Sequence, residues 1–171
     1  MSSPLPQGHF EETYHAHRVA LYNFLLRLTG NAHDANDLFQ ETFLKYYEHQ
    51  HTLSSIKPWL FQTGYRLFVD QWRKRRNKQA LALEDAPEPV AGAADTPEAA
   101  LLEAEMFREF QQALGQLPPR ARAALLLRER EGASYLEIAE TIGCSENAVK
   151  TIIYRARISL RKLLSHENGG I

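Results

Sequence analysis

From Phe10 onward the apolar positions return every three or four residues. Phe10, Tyr14, Leu21, Phe24, Leu25 and Leu28 fall on one side, with His17 or Arg18 bridging the gap, and Gly30–Asn31 closes this first predicted helix. The period restarts near Asp34, whose carboxylate suits a cap or first-turn position. In DANDLFQETFLKYYEH it sends Leu38, Phe39, Thr42, Phe43 and Tyr46 inward and leaves Asp37, Gln40, Glu41 and Lys45 outward. A polar break over 49–55 follows, and Pro58 then fits the first turn of a third helix, 58–77, where its missing N–H costs nothing. Trp59, Leu60, Thr63, Leu67 and Val69 can pack from that helix, but Tyr65, Phe68 and Trp72 add more aromatic surface than one face needs. The helix ends in Arg73, Lys74, Arg75, Arg76 and Lys78. Cations favour a helix C-terminus through the macrodipole, so a solvated cap over a crowded core is one explanation. Nucleic acid fits better, because cations meet phosphates and unstacked bases can lie on aromatic rings.

The period vanishes over 80–97, ALALEDAPEPVAGAADTP, which is rich in Ala and Pro, acidic, and reads as a flexible linker. At about 3.3 Å per residue it could reach roughly 60 Å, more than one duplex turn of about 34–36 Å. Helical spacing returns at Pro97–Glu98 and runs through Leu101, Leu102, Met106, Phe107, Phe110, Leu114 and Leu117 until Pro118–Pro119 breaks it. A helix over 120–130 turns Ala121, Ala124, Leu125 and Leu127 inward and stops at Gly132. The expected fold is therefore all-α: two small helical domains, 8–79 and 98–164, joined by the acidic linker.

The last stretch, SYLEIAETIGCSENAVKTIIYRARISLRKLL, reads as a helix-turn-helix with a basic tail. Ser134 sits where an N-cap belongs and Glu137 follows at capping-box spacing. Ile138, Ala139 and Ile142 form a short apolar stripe, and Gly143 ends the helix because the sharp turn calls for positive φ. After Cys144, Ser145 caps a second helix in which Val149, Ile152, Ile153, Ala156, Leu160 and Leu163 make one buried face. The opposite face carries Asn147, Lys150, Thr151, Tyr154 and Arg157, side chains able to reach base edges or phosphates from a major groove. A helical hairpin with a solvated polar side would share the period. The caps, the tight turn and the basic second helix together favour DNA.

Charge at first argues against this, since the formal net charge of the 171 residues is −1. Its distribution answers the objection. Residues 1–79 hold ten Lys/Arg against seven Asp/Glu, 80–119 hold one against eight, and 120–171 hold nine against six. Two mildly basic modules flank an acidic middle. Such modest positive charge gives weak DNA affinity alone and implies a larger partner that supplies more of the grip. An apolar content of 44% supports real cores. The single cysteine, Cys144, excludes an internal disulfide. The N-terminus lacks a signal-peptide pattern and no apolar run is long enough to span a bilayer, so the expected location is cytoplasmic, without membrane insertion.

Catalytic chemistry has no foothold. None of the seven histidines stands in HExxH spacing, and His49 and His51 flank a loop where solvated side chains explain them better than a metal. Glycine-rich phosphate loops are absent, so no nucleotide cofactor is indicated. Asp34, Asp37 and Glu41 share a helix face in the ordinary manner of surface carboxylates. The expectation is a non-enzymatic protein with no catalytic residue, cofactor or metal.

The order of elements over roughly 8–164 resembles the extracytoplasmic-function (ECF) group of bacterial sigma factors, the minimal members of the sigma-70 family. DANDLFQETFLKYY is similar to the family's polymerase-binding segment, usually close to DAEDLVQETFLRAW. IKPWLFQTGYRLFVDQWRKRRN resembles its helix for melting and reading the promoter −10 element, and the helix-turn-helix resembles its −35 reader. The resemblance implies a protein that binds core RNA polymerase, directs it to particular promoters and starts DNA opening. By position it implies polymerase binding by Asp34, Asp37, Leu38, Gln40, Glu41 and Phe43, with Asp37, Gln40 and Glu41 as the polar contacts. The loop around 51–57 would hold a flipped-out non-template base, with Lys57, Trp59, Tyr65, Arg66 and Arg73 in the −10 and melting group. Ser145, Asn147, Lys150, Thr151, Tyr154, Arg155 and Arg157 would serve the −35 element. The implied partners are core polymerase, duplex and locally melted promoter DNA, and an anti-sigma factor. The linker would thread the RNA exit path. Asn36 replaces the family's usual Glu, and Phe39 and Tyr47 are bulkier than the common residues there.

Two other readings stay open on the residues alone. One is a helix-turn-helix regulator with an N-terminal sensing or dimerisation domain. The other is a helical adaptor that binds protein through 10–79. Co-purification with polymerase, and promoter-specific transcription needing no other sigma factor, separate them.

Overall fold

The computed structural model describes residues 7–79 and 97–167; residues 80–96, most of the expected linker, lie outside the described residues. The described elements are α1 (Gln7–Thr29), α2 (Ala32–His49), a 3-10 turn (Gln50–Thr52), α3 (Ile56–Gln79), α4 (Pro97–Gln116), α5 (Pro119–Glu129), α6 (Tyr135–Ile142) and α7 (Glu146–Glu167). The all-α expectation holds. The start of α2 differs in detail: Asn31 is the N-cap, its side chain accepting from the Asp34 amide at 3.0 Å, so Asp34 lies inside the first turn.

α1, α2 and α3 pack on one another through the apolar faces that the period marks. Leu21, Leu25, Leu28, Tyr46 and Leu60 are wholly buried, and the Tyr46 hydroxyl donates to Thr13 Oγ1 at 3.1 Å inside this core. Gly64 explains how closely the three helices approach. A Cβ there would stand 3.3 Å from Leu25 and 3.5 Å from both Leu21 and Thr42. A mid-helix glycine costs about 1 kcal/mol against alanine, and this crossing offsets it.

In the second half α5 is the central element, packed on α6 and α7 and also on α1. Its whole middle, Arg122 to Leu127, is buried, so it carries no solvated stripe there. α6 in turn lies on α3. These contacts account for the surplus rings of α3. Tyr65 and Phe68 are buried, against the expectation of exposed aromatics, because the second half covers them. The Arg122 guanidinium lies 5.6 Å from the Phe68 ring centre. Trp72 is half-buried, with Arg76 at 5.2 Å. Burial raises the Tyr65 phenol, while Arg120 and Arg73 nearby oppose that shift.

The joint between the halves closes on the end of α1. Gln111 of α4 donates to the Arg27 carbonyl at 2.7 Å, and Arg122 of α5 donates to the Leu28 carbonyl at 2.6 Å. Last-turn carbonyls of a helix lack intrahelical donors, so these two side chains complete α1 from a distance. Arg122 also donates to Gly115 O at 2.9 Å and Leu117 O at 3.1 Å. Among the described residues no carboxylate lies within salt-bridge reach of it; three carbonyl dipoles hold the charge, and burial lowers its pKa to about 10.

Candidate nucleic-acid interface

Three surfaces carry the residues singled out by sequence. The first is the outer strip of α2. Asp37, Gln40 and Glu41 are exposed on it, with His33 at 3.4 Å from Asp37 one turn earlier. Leu38 and Phe43 are buried beneath as core residues, and Asp34 is buried with only 4% exposed. Asp34 is committed elsewhere, accepting from both terminal nitrogens of Arg75 in the last turns of α3. These three therefore shape the strip from below. Leu44 and Tyr47, each 60% exposed, extend it toward the helix end, and the sequence reading missed them as surface residues. Their signal was the spacing of three, Glu41–Leu44–Tyr47, on the side opposite the core.

The second surface is the loop before α3 and the start of that helix. Trp59 is half-buried, its ring 6.2 Å from Tyr46 and 6.1 Å from His49. It lines a cleft of ≈ 210 Å³ with Thr52, Leu53, Ser54, Ser55, Pro58 and Gln62; Glu140 and Thr141 of α6 form the far wall. Gln62 Nε2 donates to the Glu140 carbonyl at 2.9 Å across that gap. Lys57 is exposed, its ammonium 5.9 Å from the Phe61 ring centre, and Arg66 and Arg73 are exposed further along α3. Tyr65 is apart from them in the buried joint. The side chain of His51 lies outside the described ones, and no group of three possible metal ligands occurs among the described residues.

The third surface belongs to α6 and α7. The capping box forms in full: Glu137 N donates to Ser134 Oγ at 3.1 Å, and Ser134 N donates to the Glu137 carboxylate at 2.8 Å. Gly143 takes φ +72° at the turn, and Ser145 Oγ accepts from Ala148 N at 3.2 Å to open α7. Val149, Ile153 and Ala156 anchor α7 in the core. Asn147, Lys150, Thr151, Tyr154 and Arg155 stand exposed on the other side, with Tyr154 at 67%. Arg157 is exposed too but turns to α5, where its Nε donates to Glu129 at 2.9 Å. The tool of a groove-reading helix is present: a rigid apolar footing under a polar, cationic and aromatic edge.

Known proteins share this arrangement. Residues 13–78 match the family model described as Sigma-70 region 2, and residues 107–160 match Sigma-70, region 4. The chain is 31% identical over 155 residues to the ECF RNA polymerase sigma factor SigM of Bacillus subtilis, covering 90% of this chain and 93% of that protein. It is 34% identical over 158 residues to the ECF sigma factor SigE of Mycolicibacterium smegmatis, covering 91% of this chain but 62% of that protein. Among solved structures it resembles the sigma factor RpoE of Bartonella quintana, determined with the anti-sigma factor NepR. That match has a TM-score of 0.74 and 27% identity, and covers 92% of this chain and 97% of the other.

Proposed function

The chain belongs to the ECF group of the sigma-70 family, and we propose that its three surfaces divide the family's work among named residues. As a sigma factor it directs RNA polymerase to promoters. The exposed strip Asp37, Gln40, Glu41, with Leu44 and Tyr47, meets the core enzyme. Lys57, Trp59, Arg66 and Arg73 act at the −10 element, where capturing unstacked bases offsets the cost of opening duplex. The outer face of α7 reads the −35 element. Residues 8–79 and 98–164 form the two working units, joined through the acidic stretch between them. The chain works in the cytoplasm and catalyses no reaction itself.

A single observation carries this reading: α7 presents Asn147, Lys150, Thr151 and Tyr154 to solvent on a wholly apolar footing, directly after a capped helix and a left-handed glycine turn. An anti-sigma partner is supported by the likeness to a relative solved with one. The apolar groove between α4, α5 and α7, lined by Phe110, Leu126, Leu160 and Leu164 with Arg130 and Arg161 at its rim, would suit an amphipathic helix of such a partner. The decisive experiment is run-off transcription from a pool of genomic fragments with purified core enzyme and this protein. Start sites sharing two spaced motifs support the proposal; transcription that needs another sigma factor overturns it.

A further inference from the structure

Tyr135 opens α6, half-buried against the core, and a cation from each of two other helices lies within reach of its ring. The Arg128 guanidinium, from the last turn of α5, lies 4.4 Å from the ring centre. The Lys150 ammonium, from the exposed edge of α7, lies 5.5 Å from it. Arg128 is fixed further by donating to the Ala133 carbonyl at 2.9 Å. The negative face of an aromatic ring attracts a cation held this near its centre, so the ring fixes where the Lys150 ammonium stands.

We propose that Tyr135 is a positioning residue that holds the Lys150 ammonium at the start of α6, where it meets one backbone phosphate of the promoter duplex. The ligand class follows from where the ring stands. In a helix-turn-helix the first helix crosses the sugar-phosphate backbone while the second enters the groove. Lys150 leans toward the start of that first helix, away from the middle of α7's polar face. It therefore meets the backbone, and base reading is left to Asn147, Thr151 and Tyr154. A phosphate contact grips all sequences about equally and carries salt dependence, whereas a base contact discriminates. This inference rests on the assignment of α7 to duplex DNA.

The test is binding of the complete polymerase–sigma complex to a duplex promoter fragment across a salt series, with a thermal melt of each variant alongside. Lys150→Ala should weaken binding and flatten the slope of log affinity against log salt by about 0.9. It should do so equally for the preferred −35 sequence and a mismatched one. Tyr135→Leu should lose about twofold to fivefold, the range of a partly exposed cation–ring contact. Tyr135→Phe, which keeps the ring, should bind as the parent does. In the Lys150→Ala background Tyr135→Leu should cost little more, since the lysine it positions is gone. Should Tyr135→Leu fail to fold, a ring-fluorinated phenylalanine at 135, with the same shape and a weaker negative face, takes its place. Full additivity of the two losses, or equal losses for the leucine and phenylalanine variants, overturns the positioning role while leaving α7 as the duplex reader. If Lys150→Ala binds like the parent, the phosphate contact is overturned together with the assignment of Lys150 to DNA.

Discussion

Asp34 and Arg75, 41 residues apart in sequence, join the first turn of α2 to the last turns of α3 through two parallel hydrogen bonds, the Nη2–Oδ1 one at 2.7 Å. The carboxylate is buried and the guanidinium half-exposed, so the pair lies at the edge of the core. The Asp34 hydrogen bond raises the Arg75 pKa, with the carboxylate's charge adding to it, against the opposing effect of burial. One side of this joint carries the strip assigned to polymerase, and the other carries the cationic end of α3.

Asp34 should therefore behave as a structural anchor. Asp34→Ala should destabilise the fold by about 1.5–3 kcal/mol, the usual range for hydrogen bonds to a charged group. Arg75→Ala should cost a similar amount, and the double variant should cost less than the two losses summed. Urea unfolding followed by circular dichroism measures all three. Strict additivity would show that the two side chains do not depend on each other.

The exposed strip makes a different demand. Replacing Asp37 and Glu41 with Arg should weaken core binding in a pull-down while helix content stays unchanged, because neither side chain holds the fold. Leu44→Asp should weaken it as well, since an exposed leucine beside those carboxylates gains only by being covered. Full core affinity in the Asp37/Glu41 variant would remove the strip from the polymerase interface.

The helix-turn-helix was legible in sequence because its signals are local. A capping residue, its partner three positions on and a turn glycine act within one or two helical turns, and each forms as the spacing implies. Distant docking writes no such period. Arg122 looks like a surface position beside Ala121 and Ala124, yet it is buried because the Leu28 carbonyl, 94 residues earlier in the chain, waits for a donor. The rings of Tyr65 and Phe68 were visible as a surplus in α3. Their destination was not, since it depends on a second helical unit folding over them. The strip proposed for polymerase was half legible for the related reason that a family motif mixes core and surface positions, and only the fold sorts Leu38 and Phe43 from Glu41.

That docking has a consequence for access to DNA. Gln62 and Gln111 each make one hydrogen bond across the joint, to Glu140 O and Arg27 O, and neither ties its own unit together through that bond. Gln62→Ala with Gln111→Ala should loosen the two units against each other and leave each one's helices intact. Small-angle scattering should then show a larger radius of gyration at unchanged helix content. An unchanged radius would mean that the apolar contacts hold the joint without these bonds.

Trp59 is where packing and the promoter opening proposed above fall on one side chain. Its ring sits by Tyr46 and His49 and also walls the cleft shared with Thr52–Ser55 and Gln62. In the docked arrangement α6 forms one wall of that cleft and Gln62 bridges to it, so α6 narrows the approach open to a base. Removing the ring should destabilise the protein, since truncating a half-buried aromatic forfeits part of the roughly 3–5 kcal/mol a fully buried one costs. Stability loss alone would lower transcription on every template by the same factor. If the ring also captures an unstacked base, Trp59→Ala should lose more activity on closed duplex than on a template supplied with a pre-melted bubble. Stacking on a ring is worth about 1–3 kcal/mol per base, enough for roughly fivefold or more between the two templates. Trp59→Phe, keeping a ring in the same place, should narrow that difference. Transcription and permanganate reactivity on matched closed and pre-opened templates measure it. Equal losses on both would assign Trp59 to the packing beneath the loop and leave the cations Lys57, Arg66 and Arg73 as the −10 contacts.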